Sequence, residues 1–399
     1  MRGITIGRLF GIPIKLNWTF LLVLPLFAFL IGSDVTTIAE VVNETMGAGI
    51  DVDALEAGMT PWLIGLASAL GLFAGVLVHE FGHSLVAMRY GYGIDSITLW
   101  LLGGMANFTE LPEDWKQEFS IAVAGPITSI AVGVLCYGLF LVTPAGLDPL
   151  SLVFGYLAVL NVVLAVFNML PAFPMDGGRV LRALLARTKP HAKATQQAAE
   201  VGKVFAVLLG IIGLCSNLLL VLLAFFIYMA ASGEAQQTTL KAAFEDVQVA
   251  DVMTPRPDLD VVTEETTVAE LVDRMFRERH TGYPVMDGDD LVGLVTLEDA
   301  REVREVERDA YQVAEIMERD IKSVTPDTDA MEALRLLQEH DVGRLPVIDA
   351  NGDLVGLISR TDLMTAFNVI QTGGRPASLG RRVLPGDGGA GSDDAGSLR

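Results

Sequence analysis

The sequence predicts a multi-pass α-helical membrane bundle of about six spans followed by an α/β tandem module, and three observations carry that reading. Hydrophobic residues make up 51% of the 399, and mean hydropathy is +0.45, too apolar for an ordinary soluble protein. Five long uncharged stretches precede residue 234. Residues 234–372 hold 31 Asp/Glu against 13 Lys/Arg, which is -18 of the formal -21, so the acidity belongs to a soluble C-terminal part. That sign makes nucleic acid an unsuitable partner.

The first uncharged stretch, Leu16 to Ser33, is bounded by Lys15 and Asp34 and is near bilayer length. It exceeds a typical signal-peptide apolar region, and no clear small-residue cleavage site follows, so an uncleaved span is favoured over a signal peptide. The second runs from Pro61 to Val78 directly into His79-Glu80-Phe81-Gly82-His83. On a helix, positions i and i+4 share a face, so His79 and His83 can present two imidazoles to one metal while Glu80 takes a proton from an attacking water. H-E-x-x-H occurs by chance in long chains, but ionisable groups inside a span are costly and mark function.

Ile94 to Glu110 alternates β-formers and contains Gly103-Gly104, which reads as a short strand or hairpin dipping into the membrane, or as an interfacial loop. A strand there would offer an exposed edge to an extended peptide. Further uncharged stretches run from Phe119 to Leu147, Pro149 to Met175 and Val204 to Gly233. The last is about 45 Å long as a helix and suits either one steep span or a hairpin of two short ones broken near Gly213 to Asn217. Cys136 and Cys215 both fall in apolar runs and read as buried thiols. Segments 1–15, 89–118 and 177–203 carry three, two and six Lys/Arg, whereas 34–60 and 144–150 carry none. The positive-inside rule therefore puts the N-terminus in the cytoplasm, and the hairpin alternative, giving six spans, puts the soluble half there too.

A third ligand is expected at the depth of the histidines. In Asn168-Met169-Leu170-Pro171-Ala172-Phe173-Pro174-Met175-Asp176-Gly177, two prolines interrupt the helix just before an aspartate. Asp176 can complete a His2Asp set with water in the fourth position.

With these residues in view, the chain resembles the site-2 protease family of intramembrane zinc metalloproteases across residues 1–233. The resemblance rests on HEFGH, on Ala124-Gly125-Pro126-Ile127-Thr128, and on N-x-x-P-x-x-x-x-D-G from Asn168 to Gly177. It implies that His79, His83 and Asp176 bind one catalytic Zn2+, that Glu80 is general base and acid, and that Asn168 helps stabilise the oxyanion. It also implies a transmembrane protein as substrate and the lipid bilayer as surroundings. One departure is Ser129, where family members often carry an asparagine, and no catalytic role attaches to it. A membrane zinc or nucleotide sensor without proteolysis, or a transporter, is the alternative. Glu80 discriminates, because binding alone needs no carboxylate beside the first histidine.

Residues 234–246 read as a linker, followed by an internal repeat with units at 247–306 and 307–372. Asp251-Val252-Met253 is echoed by Glu315-Ile316-Met317, and Leu291 to Thr296 by Leu354 to Ser359. The repeat resembles a tandem pair of CBS domains, which implies adenosine-nucleotide clefts supplied by Thr296 and Asp299 in one unit and Ser359 and Asp362 in the other. ATP or AMP is then the expected ligand, although the acidic charge disfavours polyphosphates and such pairs also serve as homodimerisation scaffolds. The Gly-, Ser- and Asp-rich tail, 373–399, reads as disordered.

Overall fold

A computed structural model describes residues 3–100, 103–108, 112 and 114–373. The chain forms two compact units, divided between Thr238 and Thr239. Apart from Gly373, the expected disordered tail lies outside the described residues.

The first unit opens with a hairpin that patterning did not reveal. Strands β1 (Gly3–Leu9) and β2 (Ile12–Asn17) meet at Phe10-Gly11, both at positive φ, a two-residue turn whose twist suits antiparallel strands. Leu16 and Asn17 thus belong to β2, and the helix in the apolar run begins only at Phe20. Helix α1 (Phe20–Ser33) is followed by α2 (Val35–Met46) at a bend of 70°. After α3 (Val52–Leu55) comes α4 (Thr60–Arg89), with Pro61 in its first turn, where no hydrogen bond is lost, and Arg89 in its last, facing the negative end of the helix dipole.

Strands β3 (Ile94–Trp100) and β4 (Gly103–Phe108) form the expected hairpin and join the first two strands in one sheet of order β1-β2-β3-β4. The β2–β3 pairing is parallel; the other two are antiparallel. Long helices α5 (Trp115–Val142) and α6 (Asp148–Asn168) pack on α4, and the shorter α7 (Asp176–Ala186) packs on α5. Helices α8 (His191–Ser216) and α9 (Leu218–Ala243) break at Asn217. A Cβ on Gly213 would meet Val221 and one on Gly210 would meet Ala224, so the two helices fold back on each other as a hairpin. Each is longer than the short pair expected, and α9 runs through most of the anticipated linker.

Among the described residues, five helices are long and apolar enough to cross a membrane, and six spans result if α1 and α2 count as one broken span. Large apolar side chains such as Leu214, Leu218 and Leu222 are exposed along α8 and α9, as lipid-facing surface requires. Cys136 is half-buried, but Cys215 is exposed, contrary to the expectation of two buried thiols. An apolar run facing lipid hides no side chain from the bilayer.

The second unit contains α10 (Val249–Val252), β5 (Thr254–Pro255), β6 (Val262–Thr263), α11 (Val268–Glu278), β7 (Gly282–Asp287), β8 (Asp290–Thr296), α12 (Leu297–Glu302) and α13 (Val313–Ile316). It closes with α14 (Ala330–Glu339), β9 (Arg344–Ile348), β10 (Leu354–Ser359) and α15 (Arg360–Gln371). The sheets are β6-β7-β8 and β5-β10-β9, so the first repeat's opening strand pairs inside the second repeat. Phe244, Val247 and Val249 pack with Leu345, Val347 and Ile358, while Val313 and Met317 pack with Val285 and Val295. The two cores are therefore exchanged relative to the repeat boundaries read from sequence, because each opening apolar segment finds its cover on the other repeat's sheet.

Candidate metal centre

The pattern HEFGH falls within α4, and the helical repeat puts His79 and His83 on one buried face, 4% and 5% exposed. Their rings meet edge to face, and their Nε2 atoms stand 3.1 Å apart. Both Nδ1 atoms point to α5. His83 Nδ1 lies 2.7 Å from the Ile121 carbonyl oxygen, which can only accept, so this nitrogen carries a proton and in the neutral ring Nε2 keeps its lone pair. His79 Nδ1 lies 2.8 Å from Ser129 Oγ, an arrangement that allows the same tautomer.

Asp176 arrives from α7. Helix α6 ends at Asn168, and residues 169–175 turn back through contacts such as Ala172 N to Leu170 O (2.8 Å) and Met175 N to Ala172 O (3.0 Å). Pro171 and Pro174, which have no N–H to give, sit where the helix has stopped, and the Phe173-Pro174 peptide is cis. Ala172, Phe173 and Met175 are buried against α8 and α9 and anchor the turn. Asp176 is then the first residue of α7, with Oδ2 3.2 Å from both His79 Nε2 and His83 Nε2.

Among the described residues, His79, His83 and Asp176 are the group of His, Cys, Asp and Glu side chains whose ligand atoms converge closely enough for a metal ion. Asp176 Oδ2 is buried with no hydrogen-bond donor. A carboxylate oxygen facing two imidazole lone pairs is a repulsive set unless a cation joins them. Ligands at about 2.0–2.1 Å around tetrahedral zinc stand roughly 3.3 Å apart, so the 3.1 and 3.2 Å separations fit that ion. Gly125 makes the approach possible, since a Cβ there would overlap the His83 imidazole and come 2.7 Å from His79 Nε2.

Glu80, half-buried, points to the sheet. A Cβ on Gly104 would stand 2.5 Å from Glu80 Cγ and 3.2 Å from its Oε1, so only glycine lets β4 pass this close to the carboxylate. Asn168 is not brought into hydrogen-bond contact with the three converging side chains, since its Nδ2 donates to Leu164 O at 3.0 Å within its own helix.

In the second unit, Thr296 Oγ1 accepts from Asp299 N, and Asp299 Oδ2 accepts from Thr296 N and Oγ1 at 2.7 and 2.8 Å. Ser359 and Asp362 repeat this arrangement with 2.9 and 2.7 Å. These are capping boxes that start α12 and α15. Asp362 also lines a cavity of about 290 Å³ with Asp251, Val252, Thr365, Ala366, Val369 and Ile370.

Residues 67–147 and 143–209 match the model of peptidase family M50, and residues 249–305 and 313–369 each match the CBS domain. Zinc metalloprotease MJ0392 of Methanocaldococcus jannaschii is 34% identical over 301 residues, covering 75% of this chain and 84% of the relative. The chain belongs to peptidase family M50. Rip3 of Mycobacterium tuberculosis is 31% identical and covers 92% of this chain and 93% of its own length. A solved site-2 protease from Methanocaldococcus jannaschii is 31% identical with a TM-score of 0.41, covering 59% of this chain and 95% of that one. By its family model, its zinc metalloprotease relatives and its long apolar helices, this M50 peptidase is a multi-pass membrane zinc metalloprotease carrying two CBS domains. The M50 stretches include His79, Glu80, His83, Ser129, Asn168 and Asp176. Two partners escaped the sequence reading. The Ile121 carbonyl carries no side-chain signal at all. Ser129, taken there as a departure without catalytic role, instead touches His79, and its place one turn beyond Gly125 was the available clue.

Proposed function

We propose that this M50 peptidase cleaves transmembrane segments of other membrane proteins within the bilayer, with His79, His83 and Asp176 as its zinc ligands. The observation that carries the reading is the convergence of two imidazole Nε2 atoms, carried by α4, a helix long enough to span the membrane, with an orphaned carboxylate oxygen brought in by α7. Zinc, when bound, supplies Lewis acidity that makes water nucleophilic near neutral pH and polarises a carbonyl. The Ile121 carbonyl and Ser129 Oγ hold the imidazoles with Nε2 free. Glu80 takes the proton of the attacking water onto its carboxylate and returns it to the leaving amine. Asn168 supports the oxyanion once its Nδ2 turns from Leu164 O toward substrate.

The edge of β4 suits substrate binding. Among the described residues β4 is paired on its β3 side alone, and its Gly104 backbone lies beside Glu80. A substrate helix unwound into an extended strand there gains main-chain hydrogen bonds and brings its peptide bonds to the carboxylate. The Lys/Arg bias puts the N-terminus and the CBS pair on the cytoplasmic side.

The CBS pair is the proposed regulator. An adenosine nucleotide held by Asp299 or by Asp362, which lines the cavity, would bias the peptidase by its differential affinity for two states of the protein, typically about 5- to 150-fold. The central test is incubation of purified protein with a membrane-segment peptide, with and without chelator, and across an ATP or AMP titration. Chelator-sensitive cleavage inside the apolar segment is expected. Cleavage that persists without metal, or none in the metal-loaded protein, would refute the protease reading. A rate indifferent to bound nucleotide would remove the regulatory one.

A further inference from the structure

A second buried charge cluster lies away from the ligands. Arg182 on α7 is 5% exposed, and its Nε donates to Glu118 Oε1 of α5 at 2.6 Å while Nη1 donates to Glu234 Oε1 of α9, also at 2.6 Å. The guanidinium also stands 5.2 Å from the centre of the Phe173 ring, in the turn that delivers Asp176. His191, at the start of α8, comes within 3.7 Å of Glu118 Oε2, an oxygen otherwise without a hydrogen bond.

These contacts close a circuit through the metal centre. Glu118 sits one turn before Ile121, whose carbonyl fixes His83 at 2.7 Å. Arg182 lies about 9 Å along α7 from Asp176. The same turn of α5 therefore holds both the His83 ring and the helix that carries Asp176, so any slip of α7 against α5 alters the separation of Asp176 Oδ2 and His83 Nε2. A planar, two-pronged guanidinium fixes such a separation where a point charge would not. Glu234 is the least enclosed member, its side chain 33% exposed, and it belongs to α9, the helix that runs on to Ala243.

Building on the zinc-ligand reading above, we propose that Arg182 is a positioning residue for the metal centre: through Glu118 it holds Asp176 in register with His83, and Glu234 is the arm by which α9 tightens or slackens that hold. If α9 draws Glu234 away, the buried guanidinium loses one of its two carboxylates and the grip on α7 weakens. The arm thus gives movements of α9 a route to the ligand set that touches neither substrate nor metal.

The test uses the full chain with substitutions R182M, R182K and E234Q, reading zinc Kd by chelator competition together with kcat and KM on a membrane-segment peptide. In folded R182M, zinc Kd is expected to rise and kcat to fall by about 10- to 100-fold, with KM unchanged. R182K should recover part of both losses. E234Q, which leaves the Arg182–Glu118 pair intact, should change zinc Kd by roughly 2- to 5-fold, less than removal of an outer-shell partner. If R182M does not accumulate as folded protein, the other two variants decide. Zinc Kd and kcat within about twofold of the parent in R182K and E234Q, per folded molecule, would overturn the proposal, because a purely structural role lowers yield and leaves both unchanged. H79A run alongside separates the readings: if it keeps the parent's zinc Kd, the ligand assignment itself fails, and this inference with it.

Discussion

The two units carry sequence motifs of similar clarity and treat them in opposite ways. In the membrane unit, the motif atoms that face inward are left without protein partners: Asp176 Oδ2 has no donor, and two Nε2 atoms face it at 3.2 Å. In the CBS unit, the motif atoms are consumed locally, with Thr296 and Asp299 satisfying each other across the first turn of α12, and Ser359 and Asp362 doing so across that of α15. The lesson concerns what a motif is for. Buried polar atoms held in convergence without partners require a ligand, whereas atoms that complete a capping box already have a structural reason to be where they are.

Substitutions can break or sharpen this contrast. The largest effect is expected for H79A or H83A, which should lose zinc and reduce peptidase activity to background, as metal analysis and cleavage assays of the same preparations would reveal. Next, E80Q should keep its zinc and lose about 10²- to 10⁴-fold in kcat, the range of a positioned general base. An active E80Q enzyme would contradict the assigned chemistry. D176N should weaken zinc binding and activity together; undiminished zinc would point to a different third ligand. S129A should be milder, with zinc affinity down about 10- to 100-fold, because His79 loses the partner that orients it. The smallest effect belongs to the other unit. T296A or S359A should lower the stability of the CBS module by about 0.5–2 kcal/mol, read from its denaturant midpoint, and leave zinc content untouched.

What was legible from sequence follows the range of the interactions. His79 and His83 share a helix face because four residues make about one turn, and Asp176 follows two prolines that had to end α6, so local rules reached all three. The β3–β4 hairpin was legible from alternation. The β1–β2 hairpin was not, since Gly3 to Asn17 lacks clean alternation and Leu16 and Asn17 merge into the apolar run that follows. Contacts between distant segments were out of reach. Nothing local says that Gly104 will cover Glu80, that the Ile121 carbonyl will accept a hydrogen bond from His83 Nδ1, or that Arg182 will find Glu118 and Glu234. The exchange of opening segments between the CBS repeats was hidden for a related reason: Asp251-Val252-Met253 and Glu315-Ile316-Met317 are nearly equivalent, so their pattern cannot say which core each enters.

That exchange bears on how the chain is made. Phe244, Val247 and Val249 leave the ribosome early, yet the residues that cover them, Leu345, Val347 and Ile358, follow about a hundred residues later, roughly 5–20 s at ordinary rates of synthesis. The first repeat meanwhile lacks Val313 and Met317 from its own core. Neither half can be finished before the other has begun, so the CBS module matures in one late step, after the spans that precede it have already been offered to the membrane.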